Sequence, residues 1–195
     1  MYFKNILLTV FLIPSLFGTT SAFSEIETVV ISWAPGLCLE SCRRNAESRF
    51  SSMPQVAEAV VSPGSDTATF RWKPTARFSF EDLNFAVRGV GLRVDSLIIK
   101  VRGLISHDSR NVFLTSLEDG TVFLLLGRID VEPSMTPIQN SVYSRQLSPA
   151  LRDRLIKAQN EYKVVTVVGP IFEPNRNNTN LQLIVQTMSE TPSLR

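Results

Sequence analysis

The chain has 195 residues, with twenty Lys and Arg against eighteen Asp and Glu and a formal charge of +2. That near balance lacks the basic excess with which a nucleic-acid binder displaces counterions, so no nucleic-acid partner is expected. Two cysteines cannot form a disulfide-dense scaffold, and a single histidine excludes most zinc sites and Ser/His/Asp triads.

At the N-terminus Lys4, the apolar run Ile6 to Phe17 and the small-residue stretch Gly18 to Ser24 have the three-part layout of a secretory signal peptide, read here as residues 1–24. The run is shorter than the about 20 apolar residues a spanning helix needs. The expected mature chain is periplasmic or secreted, with no membrane span. The roughly 170 residues left suffice for two small domains, each held by an apolar core.

The first domain is expected over residues 25–96. Thr28 to Trp33 is β-branched and aromatic, which predicts a strand, and Pro35-Gly36 turns the chain. Leu39, Cys42, Ala46 and Phe50 follow at helical steps of three and four, placing Cys42 in a first turn. Val56 to Val61 is a second strand. Ala68, Phe70 and Trp72 alternate with Thr69, Arg71 and Lys73 as a third strand, ended by Pro74. Ser79 with Asp82 signals the start of a helix whose buried stripe is Phe80, Leu83, Val87 and Val90. Leu97 to Val101 closes the set as a fourth strand.

This order, and the residues placed on it, resemble the heavy-metal-associated domain of copper chaperones, copper-pump N-terminal modules and the periplasmic mercury-binding protein. The family pattern runs from a strand through Gly-Met-x-Cys-x-x-Cys into a helix. Here Gly36 falls on the family glycine, Leu37 on the methionine and Cys42 on the second cysteine. Ala68 to Pro74 falls on the third strand and its terminal proline, and Gly91-Leu92 lies near the final Gly-aromatic pair. Leu39 stands where the family has its first metal cysteine. Cys38 stands one residue earlier, giving Cys-x-x-x-Cys. The resemblance implies a ferredoxin-like βαββαβ sandwich, with Cys38 and Cys42 as ligands of a soft metal such as copper(I), zinc or mercury.

The residues themselves leave several roles open for the two thiols. A helix N-terminus, followed by Arg43 and Arg44, favours thiolate, and a thiolate pair selects soft ions over hard ones. Residues four apart on a helix have Cβ atoms about 5 to 6 Å apart. Two sulfurs sharing one ion lie roughly 4 Å apart. The spacing therefore permits chelation. It equally permits a disulfide in an oxidising compartment, or a Cys42 that is only a small buried apolar side chain. Thioredoxin-type redox work is disfavoured because it uses Cys-x-x-Cys.

The second domain, residues 97–190, reads as a barrel. Leu97 to Ser106 and Asn111 to Leu117 are strands, Glu118-Asp119-Gly120 turns the chain, and Val122 to Leu126 is a third strand. Ser148-Pro149 opens a helix carrying Leu151, Leu155 and Ile156. Tyr162 to Ile171 and Leu181 to Gln186 complete the set. Three strands, a helix and two strands form the order of a five-stranded OB-fold-like barrel. His107, at the end of its first strand, is read as a surface residue ahead of a metal ligand. Asn177-Asn178-Thr179 spells a glycosylation sequon.

No Gly-rich phosphate loop, His-Glu-x-x-His or nucleophile elbow is present, so no enzyme is expected. Two functions remain. One is an envelope protein that binds or delivers a soft metal through Cys38 and Cys42, with the barrel docking a protein partner. The other is an interaction or assembly module that keeps the fold without the metal. With no Gly/Ser linker at the join, the closing strand of the first unit is expected to run into the first strand of the barrel.

Overall fold

A computed structural model describes residues 26–34, 40–129, 145–174 and 180–191. The leader read at residues 1–24 and the sequon at 177–179 lie outside the described residues. The elements in chain order are β1 (Ile26–Trp33), α1 (Glu40–Ser51), β2 (Val56–Val61), β3 (Thr67–Trp72), α2 (Phe80–Gly89), β4 (Val94–His107), β5 (Val112–Ser116), β6 (Val122–Leu126), α3 (Pro149–Asn160), β7 (Val164–Pro170), β8 (Leu181–Ile184) and β9 (Thr187–Thr191). The class is α+β, and the nine strands among the described residues form one open sheet. Among the described residues no helix is long and apolar enough to cross a membrane.

Strands β2, β3, β1 and β4 are neighbours in that order, each pair antiparallel. Side chains alternate across a strand, so the register decides which residues share a face. Ala59, Phe70, Val29 and Ile99 form one cross-strand row, and Val61, Ala68, Ile31 and Leu97 the next. All eight are buried. Phe50 and Ala46 of α1 and Leu83, Ala86 and Val87 of α2 belong to the same core. The Phe50 and Phe70 rings tilt against each other at 5.1 Å between centroids. Helix α2 begins where the Ser79 hydroxyl accepts the Asp82 N–H at 3.1 Å, which satisfies one of the unpaired donors of its first turn.

The opposite face of these strands is polar and partly exposed. It carries ion pairs between Glu58 and Arg71 at 3.1 Å and between Glu27 and Lys100, and a 2.7 Å contact between the Ser32 and Ser96 hydroxyls. One apolar face and one wet face is the usual arrangement for an antiparallel sheet covered by helices on one side.

Strand β4 is the hinge of the architecture. Residues 98–101 pair with both β1 and β7, so those two strands lie on opposite edges of β4. Gly103 pairs with both Ser116 of β5 and Val165 of β7, which puts β5 on the edge that β1 leaves. The strand thus serves the first unit through Val94–Val101 and the second through Ile98–His107. Position 96, the expected boundary between domains, lies inside this continuous strand.

Beyond β4, β5 pairs with β6 and β6 pairs in parallel with β8, while β7 pairs with β4 and β9. An antiparallel bridge from Ile171 to Leu183 and a hydrogen bond from Gln186 N–H to Val168 O bring β7 against β8. This approach requires glycine at 169, because a Cβ there would lie 1.7 Å from the Ile184 carbonyl oxygen. Helix α3 opens at Ser148, whose hydroxyl accepts the Leu151 N–H, and buries Leu155 and Ala158. One apolar core runs from Phe50 and Phe70 through Ile99 and Val101 to Val165, Leu155 and Leu183. The two halves are also tied at the surface. The Phe78 N–H donates to Asp119 Oδ2 at 3.1 Å, and Thr121 hydroxyl donates to the same oxygen.

Candidate functional site

Cys42 is the third residue of α1, in the first helical turn as its spacing predicts. It is half-buried and packs against the apolar core. Its sulfur is disulfide-bonded, and no free cysteine occurs among the described residues. Cys38, the other cysteine of the chain, lies outside them. A disulfide sulfur is neither a thiolate nucleophile nor a metal ligand, so metal binding at this turn requires prior reduction. No group of three or more His, Cys, Asp or Glu side chains able to hold a metal ion occurs among the described residues.

His107 ends β4, where its Nδ1 shares a 2.7 Å hydrogen bond with Gln159 Oε1 of α3. It is exposed and belongs to a contact between β4 and α3. Met188 sits on β9 opposite Val167, and Met135 lies outside the described residues.

A charge network joins α3 to the strand edge. Glu190 of β9 takes Arg154 at 2.7 Å and Lys163 at 3.1 Å, and Lys163 also takes Glu161 at 2.6 Å. The hydrogen bond from Arg154, then that from Lys163, holds the Glu190 carboxyl below its ordinary value of 4.5. The hydrogen bonds from Glu161 and Glu190 raise Lys163 above 10.5. These groups fasten β9 to the end of α3 and the start of β7.

The second feature is a cavity of about 680 Å³ lined by the turn after β4, the end of β6 and the start of α3. Among the described residues, Arg110, Arg145 and Arg152 line it, and no carboxylate does. Arg152 donates to the carbonyls of Arg110, Asp108 and Ser109 at 2.8, 3.1 and 3.3 Å, which locks the turn that presents Arg110. Asp108 stands behind the same turn. The Asn111 N–H, then the Arg110 N–H, lower its carboxyl below 3.8 by donating to it.

Arg145 lies with its guanidinium 4.7 Å from the centre of the Phe172 ring, a stacking arrangement that suits its flat, delocalised charge. Burial lowers its pKa. Its backbone is pinned by a 2.8 Å hydrogen bond from Gly127 N–H to Arg145 O. Position 127 must be glycine for that approach, since a Cβ would lie 2.1 Å from the Gln146 carbonyl oxygen. The sequence reading missed these arginines because they come from three separate segments and form no motif. The available signals were the breaks in pattern at Arg110 and Arg145, beside a turn and a helix start.

Comparisons with protein-family models, curated proteins and solved structures return no match to this chain.

Proposed function

We propose that this chain is an extracytoplasmic binding or assembly module, without catalytic activity, in which a ferredoxin-like unit and an OB-fold-like barrel share β4. The order β2-β3-β1-β4, all antiparallel with α1 and α2 between strands, supports the first assignment. The second is supported by β5 and β7 on opposite edges of β4 and by the parallel pairing of β6 with β8, α3 lying between β6 and β7. The leader-like residues 1–24 support export, and an oxidising compartment suits a disulfide.

The observation that carries this reading over metal delivery is the disulfide at Cys42. With Cys38, the other cysteine of the chain, taken as its partner, the bond would staple the strand-to-helix turn and remove the thiolates that copper(I) needs. By the loop-entropy relation a bridge across so short a loop contributes about 2 kcal/mol. Metal delivery remains the second reading for the reduced protein, favoured by the position of Cys42 in the first turn of α1.

Thiol counting and copper(I) titration against a competing chelator, on protein purified without reductant, separate the two. The staple reading expects no reactive thiol, no tight copper(I) binding, and a loss of about 2 kcal/mol in urea unfolding once the bond is reduced. Sub-micromolar, one-to-one binding by the protein as purified, abolished by Cys42→Ser, would overturn it in favour of metal delivery.

A further inference from the structure

We infer that the outer edge of β2 pairs antiparallel with the same edge of a second copy of this chain, about a two-fold axis through Val60. The inference uses only the first sheet, so it stands apart from the state of Cys42 and from the reading as an exported module.

The register of the sheet decides which backbone groups are free. Among the described residues β2 is the outermost strand of the order β2-β3-β1-β4 and pairs with β3 alone. The Ser62 N–H donates to Thr67 O at 3.0 Å, so Ser62 faces β3, and with it Val60 and Glu58 at alternate positions. The Trp33 N–H donates to Asp66 O at 3.0 Å, which turns Ala68 and Phe70 toward β1 and gives the same alternation from the other side of β3. Ala59 and Val61, opposite Phe70 and Ala68, therefore point their N–H and C=O groups outward. No hydrogen bond to these groups occurs among the described residues.

Natural proteins blunt such edges with lysine, proline or a bulge. Here those devices stand at the two ends. A register shift between Val56 and Glu58 marks a bulge on one side, and Pro63 closes the other. The stretch between them, 58–62, carries one charge, Glu58, which is engaged by Arg71 of β3 at 3.1 Å. Its midpoint is Val60, a β-branched apolar side chain left 45 % exposed.

A second copy fits this stretch in one register. Turning the strand about Val60 sets Ala59 against Val61 of the second copy and Val61 against its Ala59, so every outward N–H and C=O of the two residues gains a partner. Centring the pair on Ala59 instead would set Val61 against Ala57, the residue displaced by the bulge. The side chains agree with the backbone. Val60 meets its own copy as a close, non-hydrogen-bonded pair and is covered by it. Glu58 stands opposite Ser62 of the second copy, a hydroxyl donor, so no like charges meet. An unrelated strand would have to match this spacing, whereas a second copy matches it by symmetry. A single strand edge buries less than the about 800 Å² per partner of a stable interface, so the dimer is weak and forms at high concentration.

Sedimentation velocity of protein purified without reductant, from about 5 to 500 µM, covers the association expected of an interface at the small end of the size range. A monomer–dimer equilibrium is expected. Val60→Lys, which sets two cations face to face, should weaken it about tenfold or more. Leu104→Lys, at an equally exposed apolar position of β4, should not. Mild oxidation reads the register. Val60→Cys should link to its own copy, since the Cα atoms of such a pair lie about 4.5 Å apart, within the range of a disulfide. Glu58→Cys should not, because the two copies of position 58 lie roughly 13 Å apart along the strands. If Val60→Lys fails to fold, the cysteine variants carry the test. Sedimentation as a monomer throughout would overturn the inference and leave the edge to a strand of a different protein. Unchanged association in Val60→Lys, or Glu58→Cys linking as readily as Val60→Cys, would overturn it too.

Discussion

At the scale of single residues, Phe70 fixes the register of the first sheet. It is fully buried, opposite both Val29 and Ala59, with the Phe50 ring 5.1 Å away. A slip of one residue would turn it to solvent and expose Ala68 and Trp72 with it. Phe70→Ala is therefore expected to cost about 3 to 5 kcal/mol in urea unfolding, through lost burial and the cavity left behind. A loss near zero would contradict this packing. Such core positions were legible in the sequence because Ala68, Phe70 and Trp72 alternate with polar neighbours. The arginines that line the cavity beside α3 were not. Arg110, Arg145 and Arg152 are ordinary surface residues in sequence, and only the return of the chain at Gly127 and the start of α3 bring them to one wall.

At the scale of elements, the strands with apolar alternation stood out, and β2 and β6 have the bounds their sequences predict. Helix starts at Ser79 and Ser148 were equally legible, because a hydroxyl ahead of the first turn has a local job. β9 was not foreseen. Thr187–Thr191 is polar and largely exposed, and what holds it is pairing with β7 and the Glu190 ion pairs. Those pairs make its attachment depend on pH. Glu190 is held below 4.5, so its stabilising effect is full above that value and is lost as pH falls through the lowered one. Lys163 is raised above 10.5, so its effect is full below that value and is lost as pH rises past the raised one. The network is complete between about pH 5 and 10. Glu190→Gln should lower the urea midpoint modestly at pH 7, because the pairs are largely solvated. The gap from the parent protein should narrow as pH drops below the ordinary glutamate range. A gap that stays constant down to pH 2 would remove Glu190 ionisation as its cause.

At the scale of the whole molecule, β4 makes the two halves one mechanical unit, with a common core and the Phe78 to Asp119 tie as a second connection. Inserting two Gly-Ser pairs after Val101 breaks the β4–β7 ladder between Val101 and Arg102, at the end of the stretch 98–101 that pairs with both β1 and β7. The expected outcome is a single thermal transition lowered by about 5 °C or more, which corresponds to roughly 2 kcal/mol at this size. Two transitions, one unmoved, would mean that the halves stand alone. The same strand imposes an order on biosynthesis. Once β4 has left the ribosome it can complete the first sheet with β1, but its other edge, Ile98–Gly103, waits for β7 at Val164. At about 5 to 20 residues per second that wait lasts roughly 3 to 10 s. Throughout it, the nascent chain displays an apolar, unpaired strand edge on which neighbouring chains can assemble. Protection of that edge during synthesis therefore falls to whatever accompanies the chain until β7 arrives.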